Sequence, residues 1–329
     1  SIPDNDGIYR NNQKIYDSVN SYFSNIDVYD IAKKVNKDEE VVYVSSDAGT
    51  YICNTIYYHT LSIVYGNTYS TKVVFIHLPV SENEEDIKQK FPRTMELIIE
   101  EIIKKREKEL RQMDELIKTR FVELFGDLND KKWKEEQLGE LCEQLKRYPT
   151  FCNMEYLENG VRVIRIGNIL LDGHMDEMDD NYVYVYDEVN KDFPDPVIEM
   201  DDIVMAVRGD GSAAKRIGIV REDKLIGSNI SPNLIRIKAD SKKVLPVYLF
   251  YYLTGDLGQK RLDAYVNKTA KKNIAAKDIA KVLVPVPDFG VQNEFISFVK
   301  QVDKSKVVVK KSLEEVKTLF DSLMQKYFG

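Results

Sequence analysis

The chain repeats one helical pattern, KELRQMDELIKTRFVELFG at Lys108–Gly126 and KSLEEVKTLFDSLMQKYFG at Lys311–Gly329. Aligned without a gap, both share Lys, Leu, Leu, Phe and Gly, and most other stripe positions are apolar. Apolar residues at helical spacing, followed by glycine, predict two amphipathic helices. Because one long helix cannot bury such a stripe alone, we expect an antiparallel pair. Unrelated helices can share a leucine stripe, but the common Phe-Gly ending favours a repeat.

The first helical pattern begins well before the repeat. It reaches back to about Pro92, and its apolar stripe contains Met95, Ile98, Ile99, Ile102 and Ile103. The two helices would then bracket a compact middle region mounted at one end of the pair.

The middle region, from Trp133 to about Gly290, is rich in short strand-like runs. These runs are Arg162–Ile166, Tyr182–Tyr186, Asp202–Val207, Arg216–Val220 and Asn233–Ile237. Turn sequences such as Asp172-Gly173 separate them. We also predict helices at Pro246–Thr254 and at about Ala275–Val282. The fold class is therefore α+β, with a mixed or antiparallel sheet and a long antiparallel helix pair.

The front of the chain has a different texture. Val41–Ser46 is a β-branched run, Tyr51–Val64 has helical spacing, and Lys72–Pro79 is a short apolar run that ends in proline. Strand, helix and strand in this order predict a βαβ unit of a parallel sheet.

Composition excludes several functional classes. The chain has 43% apolar and 31% charged residues and a formal net charge of -7, which is typical of a globular protein. Cys53, Cys142 and Cys152 lack CxxC spacing, so we expect no disulfide, metal site or cofactor. No leader or membrane-spanning run is visible, which predicts a cytoplasmic protein. A start without Met suggests that upstream sequence is missing.

Basic residues concentrate in two loops of the middle region. Between Lys260 and Lys281 there are seven basic side chains against two acidic ones, although the whole chain is acidic. A local surplus of this kind can bind DNA phosphates, although each single residue could equally belong to a solvated loop. The predicted DNA-binding residues are Arg208, Ser212, Lys215, Arg216, Lys268, Thr269, Lys271, Lys272 and Asn273, with Tyr148 and Asn229 as weaker candidates.

The order of several runs resembles one family. VIRIGNI, DDIVMAVRG, NLIRI, VYLFYYL, NKTAKKNI and VPVPDFGVQNEFISFV together resemble the target recognition domain of type I restriction-modification specificity subunits. The resemblance predicts a first spacer helix at 104–130, a recognition domain at 131–290 and a second spacer helix at 291–329. It implies a subunit without catalysis of its own, which reads one half of a split site on double-stranded DNA. The helices would dock methyltransferase and restriction subunits, or a second copy of the chain in a homodimer.

Residues 1–103 resemble a second family, the pyroglutamyl peptidase I cysteine peptidases. The resemblance rests on IPDNDG at the start, SSDAGTYICN ending at Asn54, and FIHLP at Phe75–Pro79. It makes Cys53 the nucleophile and His77 its base. A cysteine in the first turn of a helix favours the thiolate, although a buried structural cysteine is the ordinary alternative. The family's front half would precede Ser1, so we expect a truncated fragment without useful activity.

Three functional classes therefore compete. The leading hypothesis is a DNA-binding specificity subunit. The alternatives are a cysteine peptidase that removes amino-terminal pyroglutamate, and a protein that only dimerises through its helices and reads no DNA.

Overall fold

A computed structural model describes residues 29, 32–33, 84–126, 133–147, 155–209, 213–267 and 272–328. The chain forms two compact units: unit 1 contains Ser1–Met113 and Asp303–Gly329, and unit 2 contains Asp114–Val302. The βαβ unit predicted at the front of the chain lies outside the described residues. The two units differ from the predicted domain segments, whose boundaries stay a prediction.

The described elements agree with the predicted fold class. In chain order they are α1 (Glu84–Phe125), β1 (Lys134–Gln137), β2 (Cys142–Arg147), β3 (Val161–Ile164), β4 (Val183–Val185), α2 (Val189–Asp192), β5 (Ile203–Ala206), β6 (Ile217–Ile219), β7 (Asn229–Ile230), β8 (Leu234–Ala239), α3 (Pro246–Thr254), α4 (Asp256–Asp263), α5 (Ala276–Ile279), β9 (Leu283–Val286) and α6 (Phe289–Phe328). Short 3-10 turns lie at Leu138–Leu141, Ile166–Asn168, Asp179–Asn181 and Asp223–Leu225. The prediction of an α+β chain is confirmed.

The described residues of unit 2 form three small sheets. Four antiparallel strands follow the order β2-β8-β5-β6, and a mixed sheet follows the order β4-β3-β7, with β3 antiparallel to β4 and parallel to β7. Strands β1 and β9 form an antiparallel pair. All five predicted strands are present, with ends that differ by one or two residues.

The core of unit 2 lies between these sheets. Every residue of β5 is buried, because both faces of the strand are covered. Val204 of β5 belongs to an apolar cluster that also contains Val163, Ile164 and Met175. Burial of side chains of this size stabilises a fold by about 1.5 to 3 kcal/mol each before entropy is subtracted, so this cluster fixes the relative positions of the sheets.

An aromatic cluster joins the long helices within unit 2. Phe125 lies 4.9 Å from Tyr248 and 5.6 Å from Phe295, and Phe121 lies 5.3 Å from Phe295, between ring centroids. Gly126 has φ +67° and donates its N–H to the Val122 carbonyl at 2.8 Å, so the helix ends where the repeat predicts.

The helix pair is antiparallel in unit 2. Phe125 contacts Phe295, whereas Arg120, earlier in α1, lies over the Phe298 ring at 5.7 Å and pairs with Glu294 at 2.6 Å. Arg120 precedes Phe125 in α1, whereas its partner Phe298 follows Phe295 in α6. This is the order of the antiparallel pair that we predicted.

In unit 1 the same two helices are joined by an ion pair between Lys317 and Glu107 at 3.3 Å. Ile98 and Ile99 of the predicted stripe are buried there. Helix α1 begins at Glu84, earlier than the start near Pro92 that the apolar pattern predicted.

Candidate nucleic-acid interface

The two loops that carry the predicted DNA-binding residues meet at the end of β5. Arg208 and Asn273 form an antiparallel bridge, and the Gly209 N–H donates to the Lys272 carbonyl at 3.3 Å. Ile274 donates to the Val207 carbonyl at 3.0 Å. Three predicted residues that lie 64 or more positions apart in sequence, Arg208 against Lys272 and Asn273, therefore share one edge of unit 2.

Contacts with other parts of unit 2 hold the residues from Ala214 to Arg216. Ala214 has φ +58°, and its carbonyl accepts a hydrogen bond from Gln259 at 2.9 Å. Lys215 pairs with Asp263 at 2.8 Å, and Arg216 donates to the Ile169 carbonyl at 2.8 Å. Lys215 remains about half exposed, and an exposed pair of this kind is weak, so the ammonium can exchange its carboxylate for a phosphate.

Four further predicted residues cannot be placed. Ser212, Lys268, Thr269 and Lys271 lie outside the described residues, as does Tyr148. Their contribution to DNA binding stays a prediction.

Two described basic side chains of the run from Lys260 to Lys281 form ion pairs with carboxylates of unit 2. Arg261 pairs with Glu135 and donates to the Leu283 carbonyl at 2.7 Å, so it joins α4 to the β1–β9 pair. Lys281 pairs with Asp278 at 3.0 Å. The weaker candidate Asn229 was wrong, because its side chain is completely buried and donates to Asn190 at 3.0 Å.

A cleft of about 970 Å³ opens beside the meeting point of the loops. Its walls combine Ile166, Gly167 and Pro232 with polar side chains, namely Tyr156, Arg165, Asn168, Asp176, Asn181, Ser231 and Asn233. The Asn233 carbonyl accepts the Val207 N–H at 2.8 Å, which places the cleft directly beside the strand that leads to Arg208. The sequence did not indicate this cleft, because its walls come from five stretches of chain between Tyr156 and Asn233.

Eight of the nine arginines of unit 2, all except Arg208, divide into two groups. Among the described residues, five pair with carboxylates: Arg120, Arg162, Arg221, Arg236 and Arg261. Arg147, Arg165 and Arg216 form no ion pair with a described residue.

Each arginine of this second group is held by one backbone carbonyl at or next to the cleft. Arg147 donates to Pro232 at 2.8 Å, Arg165 to Asn181 at 3.2 Å, and Arg216 to Ile169. Since a guanidinium has five N–H donors, most of the donors of these side chains are left for other acceptors.

Two positive side chains near the cleft, Arg147 and Arg208, repel each other. The pKa of Arg147 is lowered, first by burial and then by the charge of Arg208. The Arg147 Nε is buried and has no hydrogen-bond partner among the described residues. An anionic ligand beside Arg147 and Arg208 would reduce the repulsion between their charges.

The described residues offer little to other chemistries. No group of three or more His, Cys, Asp or Glu side chains among them could hold a metal ion. Burial raises the pKa of Cys142 to about 12, so this thiol is a poor nucleophile. No described helix is long and apolar enough to cross a bilayer. Cys53 and His77 lie outside the described residues.

Comparison with known protein families divides the chain in two. Residues 130–318 match the type I restriction modification DNA specificity domain, which is more than half of the chain. Residues 1–104 match the pyroglutamyl peptidase family.

Individual relatives repeat this division. The type I restriction enzyme EcoBI specificity subunit of Escherichia coli is 29% identical over 52% of this chain and 35% of its own length. A pyrrolidone-carboxylate peptidase of Thermosipho melanesiensis is 33% identical over 28% of this chain and 46% of its own length. The chain thus spans less than half the length of either relative. A type I restriction-modification system S subunit from M. genitalium has a TM-score of 0.48 and 16% identity, over 86% of this chain and 74% of that chain.

Proposed function

Since the chain belongs to the family of type I restriction-modification DNA specificity domains, we propose that unit 2 binds double-stranded DNA through the edge where Arg208 meets Lys272 and Asn273. One observation carries this proposal. Three arginines around the neighbouring cleft are held in place by carbonyl groups and form no ion pair with a described carboxylate. Their unused N–H donors suit phosphate oxygens and base edges.

Salt dependence tests the proposal directly. Fluorescence anisotropy with the full chain and a labelled random duplex should give a Kd that rises steeply between about 50 and 200 mM salt, because bound phosphates release counterions. Absence of binding at low salt would refute the proposal.

Lysine variants provide a matched comparison. Lys272→Ala should reduce the slope of log K against log salt by about 1, as expected for one lost phosphate contact. Lys242 is equally exposed but follows the far end of β8, roughly 20 Å from the cleft at 3.3 Å per residue. Lys242→Ala should therefore leave the slope unchanged. Equal slopes for the two variants would place the phosphates elsewhere.

We also propose that the helices dock methyltransferase and restriction subunits. Support comes from apolar side chains of α6 within unit 1 that are exposed, namely Val307, Val308 and Leu319. Replacing Val307 and Val308 with Lys should abolish co-purification with a type I methyltransferase subunit while DNA affinity is retained. Retained association would exclude this face.

A single recognition domain would read one half of a split site, and we propose that two copies of the chain read both halves. Light scattering should give a dimer mass on a duplex with two half-sites. A monomer on that duplex would refute this arrangement.

Peptidase activity remains the alternative for residues 1–104. A chromogenic pyroglutamyl substrate should show equal background rates for the wild type and Cys53→Ala. Hydrolysis that Cys53→Ala removes would instead establish the peptidase.

A further inference from the structure

The cleft contains one arginine whose orientation is fixed before any ligand arrives. The guanidinium of Arg165 lies 5.8 Å from the centre of the Tyr156 ring and donates from Nη2 to the Asn181 carbonyl at 3.2 Å. Its backbone N–H donates to Asn168 Oδ1 at 2.8 Å, and the Asn168 amide donates to the same Asn181 carbonyl at 2.9 Å. Two residues therefore hold both ends of this arginine, which lowers the entropic cost of ligand binding.

The acidic residue of the cleft does not neutralise Arg165. The two Asp176 carboxylate oxygens accept hydrogen bonds from the Met178 N–H at 2.8 Å and from the Asn181 side-chain amide at 2.6 Å. Asp176 thus positions the loop that carries the Asn181 carbonyl. Arg165 therefore lines the cleft without an ion pair to any carboxylate that the structure describes.

Another arginine, three positions earlier in sequence, shows the contrast. Arg162 pairs with Asp179 at 3.2 Å, and its guanidinium lies over the Tyr182 and Tyr184 rings at 5.2 and 5.9 Å. It also donates to the Lys224 carbonyl. Arg162 therefore stabilises the fold through these contacts. Arg165, in contrast, uses one side-chain N–H on the Asn181 carbonyl and leaves its other donors for a ligand.

Asn233 lies in the same cleft. Its side chain is exposed and makes no hydrogen bond to the described residues, while its backbone carbonyl is fixed by Val207. The amide of Asn233 is therefore available to a ligand, and the position of its Cα is set by the sheet.

From this geometry we propose that Arg165 is a specificity-determining residue that reads a guanine, and that Asn233 contacts a second base beside it. This inference rests on the proposed function. An arginine fork matches the O6 and N7 acceptors of guanine in the major groove, and asparagine matches N6 and N7 of adenine. A phosphate contact would need charge alone, but the fixed plane of Arg165 suits a bidentate acceptor.

Selection from a randomised duplex library by the full chain tests the inference. The wild type should enrich a motif that contains an invariant guanine. Arg165→Gln should lose the preference at that position alone, and its affinity for the enriched duplex should fall roughly tenfold to a hundredfold. Because this change also removes a positive charge, its affinity for unrelated DNA should fall as well, but less than its affinity for the enriched duplex, and the binding that remains shows that the variant is folded.

Arg165→Lys separates charge from geometry. It keeps the positive charge but lacks the fork, so it should lose the same guanine preference. A lysine variant with the full wild-type motif would overturn the inference, as would an Arg165→Gln variant that weakens all duplexes equally.

Failure of base reading and failure of DNA binding would give different results. If the wild type enriches a motif that both Arg165 variants retain, the base-reading role is wrong but DNA binding stands. If the wild type enriches nothing and binds no duplex at low salt, the proposed function fails as well.

Discussion

The buried ion pair of unit 2 offers the sharpest test of how the fold is held together. Asp202 and Arg236 have side chains that are 2% and 3% exposed, and their closest atoms, Oδ2 and Nε, are 2.6 Å apart. We expect Asp202→Ala to destabilise unit 2 strongly, because it leaves a guanidinium buried with fewer partners. The same change removes the acceptor of the Glu199 N–H, which lies 2.7 Å from Oδ2.

The magnitude follows from what remains around the arginine. Breaking a buried pair by removing one partner typically costs about 3 to 5 kcal/mol. Arg236 keeps hydrogen bonds to Glu199 at 2.8 Å, to Gln144 at 3.1 Å and to the Asp195 carbonyl at 2.9 Å. The loss should therefore lie near the lower end, at about 3 kcal/mol.

The pair itself is not a large source of stability. Burial raises the pKa of Asp202 even though Arg236 lies against it, so desolvation outweighs the attraction. Replacing both residues, as Asp202→Leu with Arg236→Met, should recover most of the loss and come within about 1 kcal/mol of the wild type.

Urea unfolding can measure these changes. Trp133 is the only tryptophan of the chain and lies in unit 2, so its fluorescence reports on this unit. With an m-value of about 2 kcal/mol/M, a loss of about 3 kcal/mol lowers the midpoint by about 1.5 M. Glu199→Ala is the control, because its side chain is 55% exposed and should cost less than about 1 kcal/mol. If Asp202→Ala costs no more than Glu199→Ala, the reasoning about buried charge is refuted.

Three further predictions concern single positions. Gly173→Ala should cost at least about 2 kcal/mol in urea unfolding, because φ is +83° and the new Cβ would lie 2.4 Å from Phe250 Cζ; Gly290→Ala, which meets nothing within 4 Å, should be neutral. Cys142 should resist iodoacetamide at pH 8 in the native protein and react in urea, since burial raises its pKa to about 12; peptide mapping that finds native labelling would contradict this. Glu199→Gln should flatten the fall of unfolding free energy below pH 4.5. The hydrogen bond from Lys238 lowers the Glu199 pKa, so the stability it contributes is complete above the usual value of 4.5 and is lost as the pH falls through the lower folded value; an unchanged acid limb would count against it.

Sequence patterns predicted the parts of the fold that depend on local periodicity. The five predicted strands have apolar runs, and α3 was predicted with its observed bounds, Pro246–Thr254. Strands β1 and β2 were missed because KEEQ and CEQLKR carry charges on partly exposed positions instead of an apolar run. Strand β9 was missed because LVPV contains proline, which usually argues against a strand.

The sequence predicted residues of the candidate site only where several basic side chains lie close together in one loop. The loops around Arg208 and Asn273 were identified by their basic residues, but nothing local shows that they meet. The role of Arg261 was misjudged for the same reason, since its partner Glu135 lies far away in sequence. Arg165 looked like an ordinary strand residue, because its significance depends on Tyr156 and on the carbonyl of Asn181.

The aromatic cluster at the end of α1 sets a rule for how this helix can change in length. Phe121 and Phe125 fit against Tyr248 and Phe295 in a single rotational setting. Adding one residue earlier in α1 turns everything before the insertion by about 100°, whereas adding seven restores nearly the original direction after two turns. Related chains should therefore differ in this helix by whole heptads. The length of α1 can then vary only in steps of about 10 Å, at 1.5 Å per residue.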